Sequence, residues 1–259
     1  MSEGSLFSTG TKTLTKREIL RFLRRPWNTF LPPFITNVLY FSVFGVILGA
    51  RIQEIDGVPY IQFILPGLVV LGAIGNAFEN ASFSIFHGRW NEYIHEPLTS
   101  PLSYRSMVFS YVASSALRGI IIGVLIAVIG GVFTPVHSLA HPVYAVVFLL
   151  VIATLFAGLG VIGGLVAEDF DHLTVLNQFI LRPLVFFGGV FYSLDALSGA
   201  ALTASYLNPM VYMVNGVRYG VLGVSDIPVN EALGVLVGLT AAVLVVDVAL
   251  FKRGYGLTN

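Results

Sequence analysis

The sequence predicts an all-α membrane protein with six transmembrane helices, an amphipathic interfacial helix before them, and short re-entrant helices on the outer side between spans five and six. Two observations lead to this prediction. Of the 259 residues, 56% are hydrophobic and 11% are charged, whereas soluble domains carry about 25% charged residues. Apolar runs of about 20 residues, long enough to cross a bilayer as a helix, also recur along the chain, and none of them alternates apolar with polar residues as a barrel strand would.

The six predicted spans follow these apolar runs. The whole chain, residues 1–259, is read as one transmembrane domain. The absence of cysteine excludes disulfides and thiolate metal sites. The spans are placed at Asn28–Ala50, Ile61–Ile85, Tyr104–Gly131, Val143–Val166, Leu173–Ser193 and Glu231–Phe251.

Basic residues cluster beside one set of helix ends. If the N-terminus is cytoplasmic, only Arg51 and Arg218 lie on the outer side. Because cytoplasmic loops are enriched in lysine and arginine, we expect both termini to lie in the cytoplasm. The basic residues assigned to that side are Lys12, Lys16, Arg17, Arg21, Arg24, Arg25, Arg89, Arg105, Lys252 and Arg253.

Residues 1–27 are predicted to be a cytoplasmic tail that contains the interfacial helix. Thr15-Lys-Arg-Glu18 matches a capping box and marks a helix start. In the segment that follows, the apolar residues Ile19, Leu20, Leu23 and Trp27 fall on one side, and Arg17, Arg21 and Arg24 fall on another. This pattern is typical of a helix that lies at the membrane surface.

The segment 194–230 is read as outer and not spanning. Its best helix is Pro209–Leu222, which follows Asn208 as a cap and has proline at its first position. About 14 residues are too few to cross a bilayer and suit a re-entrant or interfacial element. Counting this helix as a seventh span would place Lys252 and Arg253 outside, against the charge rule.

Residues 86–103 form a polar cytoplasmic loop between two apolar runs. Pro97 is expected to end any helix that continues from span two, and Ser100-Pro101 or Ser103 to begin the next one. A short helix between them would have an apolar face of Phe86, Trp90, Tyr93 and Ile94 and a charged face of Arg89, Glu92 and Glu96, with Arg89 close enough to Glu92 to pair. The helix either lies at the lipid headgroups or docks a soluble partner, for which tryptophan, tyrosine and arginine are typical anchors.

Two stretches resemble a known family. WNEYIHEPLTSPLS, with Arg118-Gly119 in span three, is similar to the cytoplasmic coupling segment of ABC-2-type permeases, the membrane subunits of ABC exporters. GGVFYSLDAL and YLNPMVYMVNGVRYGVLG, at 188–197 and 206–223, resemble the end of the fifth span and the outer re-entrant helices of that family. The order of elements agrees over nearly the whole chain.

The resemblance implies a homodimeric exporter in a prokaryotic cytoplasmic membrane. Each permease would dock one P-loop ABC ATPase subunit, which carries the ATP and Mg, on a coupling helix at residues 86–97, and membrane lipids but no nucleic acid would be partners. No cofactor is expected in this chain, because it lacks the P-loop pattern G-x-x-x-x-G-K-[ST]. Gly4 and Gly10 are one residue too far apart for its two glycines. In Gly10-Thr11-Lys12-Thr13 a threonine separates the glycine from the lysine, so this partial match in the tail is due to chance. The implied docking residues are Phe86, Arg89, Trp90, Glu92, Tyr93, Ile94 and Glu96, and an outer gate would include Tyr192, Asn208, Pro209, Tyr212 and Arg218.

Four ionisable residues fall inside predicted spans, where they are costly and therefore candidates for function. Glu79 lies on a polar stripe with Asn76 and Asn80, and we expect it to pair with Arg118 as a gate or between helices. The alternative is that these residues line the pathway and contact the substrate directly. Arg182, next to Pro183, either lines the pathway or packs against an acid. Asp247 lies near the inner end of span six and is expected to reach the interface.

The alternative function is an ion-gradient-driven secondary transporter, but such folds often contain internal repeats, and we find no convincing one here. A membrane enzyme is disfavoured because H-E-x-x-H and G-x-S-x-G are both absent. His137 and His141 have the spacing of a metal pair, yet the flanking prolines and the lack of a third ligand argue against a metal site.

Overall fold

The computed structural model describes residues 8–55, 57–134 and 139–257, and every side chain in them except those of Ile180 and Arg182. Apart from one short hairpin, the regular structure of this part of the chain is helical, which confirms the predicted class. Within the described ranges, five helices are long and apolar enough to cross a membrane: Pro26–Leu48, Tyr60–Trp90, Tyr104–Phe133, Pro142–Val166 and Val229–Arg253.

The first helix, α1 (Thr9–Leu23), begins earlier than the predicted capping box. Ser8 is its cap, with a side-chain oxygen that accepts from the amide of Thr11. The Thr15 hydroxyl donates to the carbonyl of Thr11 inside the helix, and Glu18 is buried in tertiary contacts, so the capping box was wrong. The chance P-loop match at 10–13 is the first turn of α1 and not a loop.

Span one consists of two helical segments. Helix α2 (Pro26–Tyr40) begins with proline at its first position, where the missing amide hydrogen is not needed, and it continues as a π-helix at Phe41–Leu48. Trp27 therefore belongs to α2 and not to the interfacial helix. A hairpin of β1 (Glu54–Ile55) and β2 (Val58–Pro59) leads to α3 (Tyr60–Trp90).

The polar loop after α3 contains α4 (His95–Thr99) and ends at α5 (Tyr104–Phe133). The helix from span two stops at Trp90, before Pro97, and Glu92 has a φ of 62°. Pro97 lies in the first turn of α4, where proline is tolerated, so its predicted role as the terminator was wrong. Ser103 caps α5 through the amide of Ser106, as one of the two predicted starts required.

Helix α6 (Pro142–Val166) is continuous, whereas the predicted fifth span is not one regular helix. It is composed of α7 (Phe170–Val175), a π-helix at Leu176–Leu181 and α8 (Arg182–Phe186). The helical path ends seven residues before the predicted Ser193. Gly189, with a φ of 78°, takes part in the turn that follows.

The segment between α8 and the last helix contains a 3₁₀ turn at Leu194–Ala196, α9 (Gly199–Leu207) and α10 (Pro209–Leu222). Helix α10 has the predicted bounds, and the Asn208 side chain accepts from the amide of Met210 as the predicted cap. Gly223, in the left-handed conformation, ends it. Helix α11 (Val229–Arg253) is the last helix among the described residues.

Helix α3 lies at the centre and packs against α5 and α6. Glycines make the close approach possible: an added Cβ at Gly160 or Gly164 of α6 would lie 2.5 or 2.6 Å from a carbonyl oxygen of α3. At Gly119 of α5 the corresponding distance is 2.7 Å. Small residues four apart are a common way for membrane helices to bring their backbones together.

Candidate functional site

The predicted docking residues lie around the end of α3 and not on one separate helix. Phe86 is buried, and its ring meets those of Trp90 and Phe170 at centroid distances of 5.9 and 4.7 Å. Ile94, after the break, is also buried. Trp90, 62% exposed, is the aromatic side chain of this group that is open to a partner.

Arg89 does not pair with Glu92. Its guanidinium donates to the carbonyl oxygens of Gly164 and Ala167, each at 2.9 Å, and so ties the end of α3 to the end of α6. Because α3 ends at Trp90, Glu92 does not lie one helical turn after Arg89. The expected Arg89–Glu92 pair was therefore wrong.

Helix α1 packs against this segment through charged contacts. The Arg17 guanidinium donates to the Glu96 carboxylate at 3.2 Å and lies over the ring of Tyr93, 6.0 Å from its centroid. Tyr93 is half-buried, and this burial raises the pKa of its phenol. The loop between α3 and α5 is thus joined to α1 by an ion pair between residues 79 positions apart.

Glu18 of α1 is the next charged group along the same path. Its side chain is 3% exposed and accepts from Arg17 at 3.2 Å, from Arg21 at 3.1 Å and from the Ser84 hydroxyl of α3 at 2.6 Å. Buried carboxylates are stable only when they are paired and hydrogen-bonded, and Glu18 meets that requirement. The sequence did not identify this residue as functional, because a glutamate in a charged segment is usually solvated.

Asn80 connects the α1 contacts to the interior of the bundle. Its side-chain oxygen accepts from Arg21 at 3.1 Å and from Arg118 of α5 at 3.3 Å, while its amide donates to Ser115. Arg118 also donates to the Asn76 oxygen at 3.3 Å and lies 3.7 Å from the Glu79 carboxylate. The predicted stripe of Asn76, Glu79 and Asn80 therefore meets Arg118. We refer to the connected path Glu96–Arg17–Glu18–Arg21–Asn80–Arg118–Glu79 as the polar relay.

The polar relay ends at a cavity of about 350 Å³ between α2, α3, α5 and the segment 176–186. Glu79, 43% exposed, and Arg118 belong to its wall. The other polar side chains around it are Asn28, Thr29, Thr36, Asn37, Asn76 and Asn177. Two glycines and a set of apolar and aromatic residues complete the lining: Gly72, Gly75, Pro32, Pro33, Tyr40, Leu71, Ile74, Leu181, Val185 and Phe186. The backbone of Arg182 begins α8 beside this cavity, and its role stays a prediction because its side chain is outside the described set.

A second polar cluster ties α10 to the turn after α8. Arg218 is fully buried, donates to the Gly189 carbonyl at 2.6 Å, lies 3.9 Å from the Asp226 carboxylate and stacks over the ring of Phe63. Asp226 accepts in addition from the backbone amide of Leu194. Arg218 therefore connects α10 to three other parts of the chain, which are the turn at Gly189, the loop at Asp226 and helix α3 at Phe63.

The remaining predicted gate residues stabilise the same region. Tyr192 donates to the Phe187 carbonyl and Tyr212 to the Tyr206 carbonyl, each at 2.9 Å. Asn208 caps α10, whose first residue is Pro209, and its side-chain amide also donates to the Leu184 carbonyl at 2.8 Å. These contacts are local and structural, and whether the segment opens as a gate stays a prediction.

Asp247 and the histidine pair of His137 and His141 are the remaining residues that the sequence singled out. Asp247 is fully buried, and neither carboxylate oxygen has a hydrogen-bond partner among the described residues. It faces Gly158 of α6, so the expectation that it reaches the interface was wrong. His141 stacks on Tyr219 at 4.4 Å, and His137 lies outside the described residues.

The chain is similar to known membrane transport proteins. A family model described as ABC-2 type transporter matches residues 9–222, which is α1 through α10. Over 254 residues, 98% of this chain and 99% of the relative, the chain is 38% identical to the inner membrane transport permease YadH of Escherichia coli (strain K12). It is 24% identical to Nodulation protein J of Rhizobium leguminosarum bv. viciae over 92% of each chain. Against Nodulation protein J of Rhizobium meliloti (strain 1021) the identity is 24%, over 83% of this chain and 82% of the relative.

Proposed function

Because the chain belongs to the ABC-2 type transporter family and is a transport permease subunit of the inner membrane, we propose that it is the membrane half of an ATP-driven exporter. Two copies would form the pathway, and two separate ATPase subunits, with ATP and Mg bound to them, would supply the energy. Both termini and the loop 86–103 would lie in the cytoplasm. The observation that carries this proposal is the polar relay, which joins that loop to the wall of the cavity.

The ATPase would dock where α3, α4 and α7 meet. The ring of Trp90 packs against that of Phe170 at a centroid distance of 5.9 Å, so the end of α3 and the start of α7 form one surface. Trp90, Glu92 and Glu96 are exposed on it, whereas Phe86 and Ile94 support it from below. Exposed tryptophan above a packed aromatic base is a typical anchor for a protein partner.

Movement of the docking loop would reach the cavity through α1. Glu96 is held by Arg17, and Glu18 on the next position of α1 is held by Ser84 of α3. A displacement of α4 would therefore pull on α1 and, through Arg21 and Asn80, on the guanidinium of Arg118 at the cavity wall. Hydrogen-bonded networks that have two discrete arrangements can carry coupling over such distances.

The cargo would be amphipathic, in the class of lipid- or glycan-like molecules. The cavity combines a carboxylate, a guanidinium and amide side chains, which bind polar head groups from both the donor and the acceptor side. Its prolines and the rings of Tyr40 and Phe186 offer apolar contact next to them. Neighbouring segments such as α10 would form the outer gate.

The test begins with purification of the tagged chain from its native membrane in mild detergent. We expect an equimolar P-loop ATPase to co-purify and the complex to hydrolyse ATP, while the chain alone does not. If the chain were purified alone as a stable oligomer and transported in response to an ion gradient, the exporter proposal would be wrong and the secondary transporter correct.

The relay has its own test in the reconstituted complex. Arg17→Ala removes both the Glu96 and Glu18 contacts and should leave ATPase binding in place while ATP-driven transport falls about tenfold, since changes along such a network alter coupling by about 0.5–2 kcal/mol. Arg24→Ala is the matched control, because its side chain is exposed on the same short segment and forms none of the relay contacts. Equal transport in the two variants would exclude the relay from coupling.

A further inference from the structure

A groove between α1 and α5 lies away from the polar relay. It has a volume of about 340 Å³ and is lined by one face of α1, from Thr11 to Leu20, and by Phe109 of α5. Phe109 is 45% exposed, and Ile19 and Leu20 are half-buried at its edge. Apolar side chains therefore form the floor of a groove that the described part of the chain leaves open.

The basic residues of α1 divide into two groups. Arg17 and Arg21 turn toward Glu18 and Asn80, and their charges are compensated inside the protein. Lys12 and Lys16, four residues apart and both exposed, line the groove, and neither side chain has an ion-pair or hydrogen-bond partner among the described residues. Residues four apart share a helix face, so the groove has two uncompensated positive charges on one rim.

The opposite helix continues this pattern. Arg105 of α5 is exposed and lies one turn before Phe109 on the same face. On both helices the positive charges thus lie about one helical turn before the apolar residues that form the floor. An amphipathic molecule with an anionic head and a hydrocarbon tail matches both parts, whereas an acidic peptide or a nucleic acid would leave the floor uncovered.

We propose that this groove binds an anionic phospholipid of the cytoplasmic leaflet, with its phosphate between Lys12 and Lys16 and one acyl chain along Ile19, Leu20 and Phe109. Basic pockets at the cytoplasmic ends of membrane helices are suited to such head groups. The inference rests on the proposed topology only for the placement of α1 at that leaflet. It needs no ATPase and no cargo.

The experiment uses the full chain in neutral detergent, with lipid binding measured by native mass spectrometry. The probes are phosphatidylglycerol and phosphatidylcholine with identical dioleoyl chains. We expect preferential retention of phosphatidylglycerol. A lysine near an anionic membrane surface contributes about fivefold in affinity, so Lys12→Ala/Lys16→Ala should weaken binding about 30-fold. Lys252→Ala/Arg253→Ala, which removes an exposed basic pair on α11, is the matched control and should leave binding unchanged.

Further variants separate the two parts of the site. Lys12→Arg/Lys16→Arg keeps the charges and should keep the affinity, which would show that the lipid recognises the positive charges at these positions and not the lysine side chain as such. Phe109→Ser should weaken the binding of phosphatidylglycerol about tenfold, which corresponds to roughly half of the free energy gained by full burial of a phenylalanine.

Equal binding of the two lipids, or an alanine variant that binds as well as the control, would overturn the proposal. Displacement of the lipid by millimolar inorganic phosphate would assign the site to a free anion and would also overturn it. Because these measurements do not involve the ATPase, a negative result leaves the exporter proposal untouched.

Discussion

Removal of the Glu18 carboxylate is the most informative single change in the polar relay. Glu18→Ala takes away the acceptor shared by Arg17, Arg21 and Ser84. The fold of each helix should persist, because Glu18 is not a cap. The docking of α1 against α3 should weaken, since Ser84 is the direct contact between this carboxylate and α3.

The size of the effect follows from the exposure of the three donors. The Ser84 hydroxyl is buried and bonds to a charged group at 2.6 Å, a contact worth about 1.5–3 kcal/mol. Arg17 and Arg21 are 38% and 36% exposed, so water compensates much of their loss and each adds about 0–1 kcal/mol. The free energy of unfolding should therefore fall by about 3 kcal/mol, most of it through Ser84.

A double-mutant cycle of Glu18→Ala and Ser84→Ala measures that share directly. Unfolding would be followed by circular dichroism in mixed micelles with increasing dodecyl sulfate. We expect a coupling energy of about 2 kcal/mol between the two positions. The control cycle pairs Glu18→Ala with Ser110→Ala, because the Ser110 hydroxyl is also buried but bonds to backbone carbonyls of Ser106 and Thr11. A Glu18–Ser84 coupling below about 0.5 kcal/mol, or one equal to the control, would refute the reasoning.

Three further predictions concern other parts of the molecule. Trp90→Ala should abolish co-purification of the ATPase while the free energy of unfolding changes by less than about 1 kcal/mol, because the ring is mostly exposed; normal assembly would exclude it from the docking surface. Gly160→Ala should destabilise the chain in the same unfolding assay by about 1–3 kcal/mol, because its methyl group would lie 2.5 Å from the Phe78 carbonyl; Gly234→Ala, which points into open space, should change nothing or stabilise. Asp247→Asn should be neutral or stabilising, since the carboxylate has no partner among the described residues; a loss of several kcal/mol would indicate a partner outside them.

Helix ends that depend on local chemistry could be predicted from the sequence. Asn208 and the proline after it begin α10 where the cap pattern required, and Ser103 begins α5. Thr15 failed as a cap because Ser8 caps the same helix two turns earlier. A cap motif identifies a residue that could begin a helix, but it cannot show which of two candidates does so, and the packing of α1 on α5 favoured the longer helix.

The candidate site could be predicted only where charge appears against an apolar background. Glu79 and Arg118 were evident because ionisable residues inside apolar runs need partners, and they lie 3.7 Å apart. Glu18 was missed, since nothing in its local sequence distinguishes a buried glutamate from a solvated one. The ion pair between Arg17 and Glu96 was missed for another reason: helical periodicity gives the face of a residue, but it does not show which distant loop that face meets.

Charge balance explains how a chain of ionisable groups can be stable inside this bundle. Glu18, Glu79 and Glu96 match Arg17, Arg21 and Arg118 in number, so the relay has no net charge. Arg21 and Arg118 nevertheless converge on one amide oxygen of Asn80, and like charges so close repel each other unless acids flank them. Glu18 compensates one guanidinium and Glu79 the other. If α1 moved away with Glu18 and Arg21, the Asn80 side-chain oxygen would lose the Arg21 donor and would accept from Arg118 alone. The position of α1 and the electrostatics of the cavity wall therefore cannot change independently.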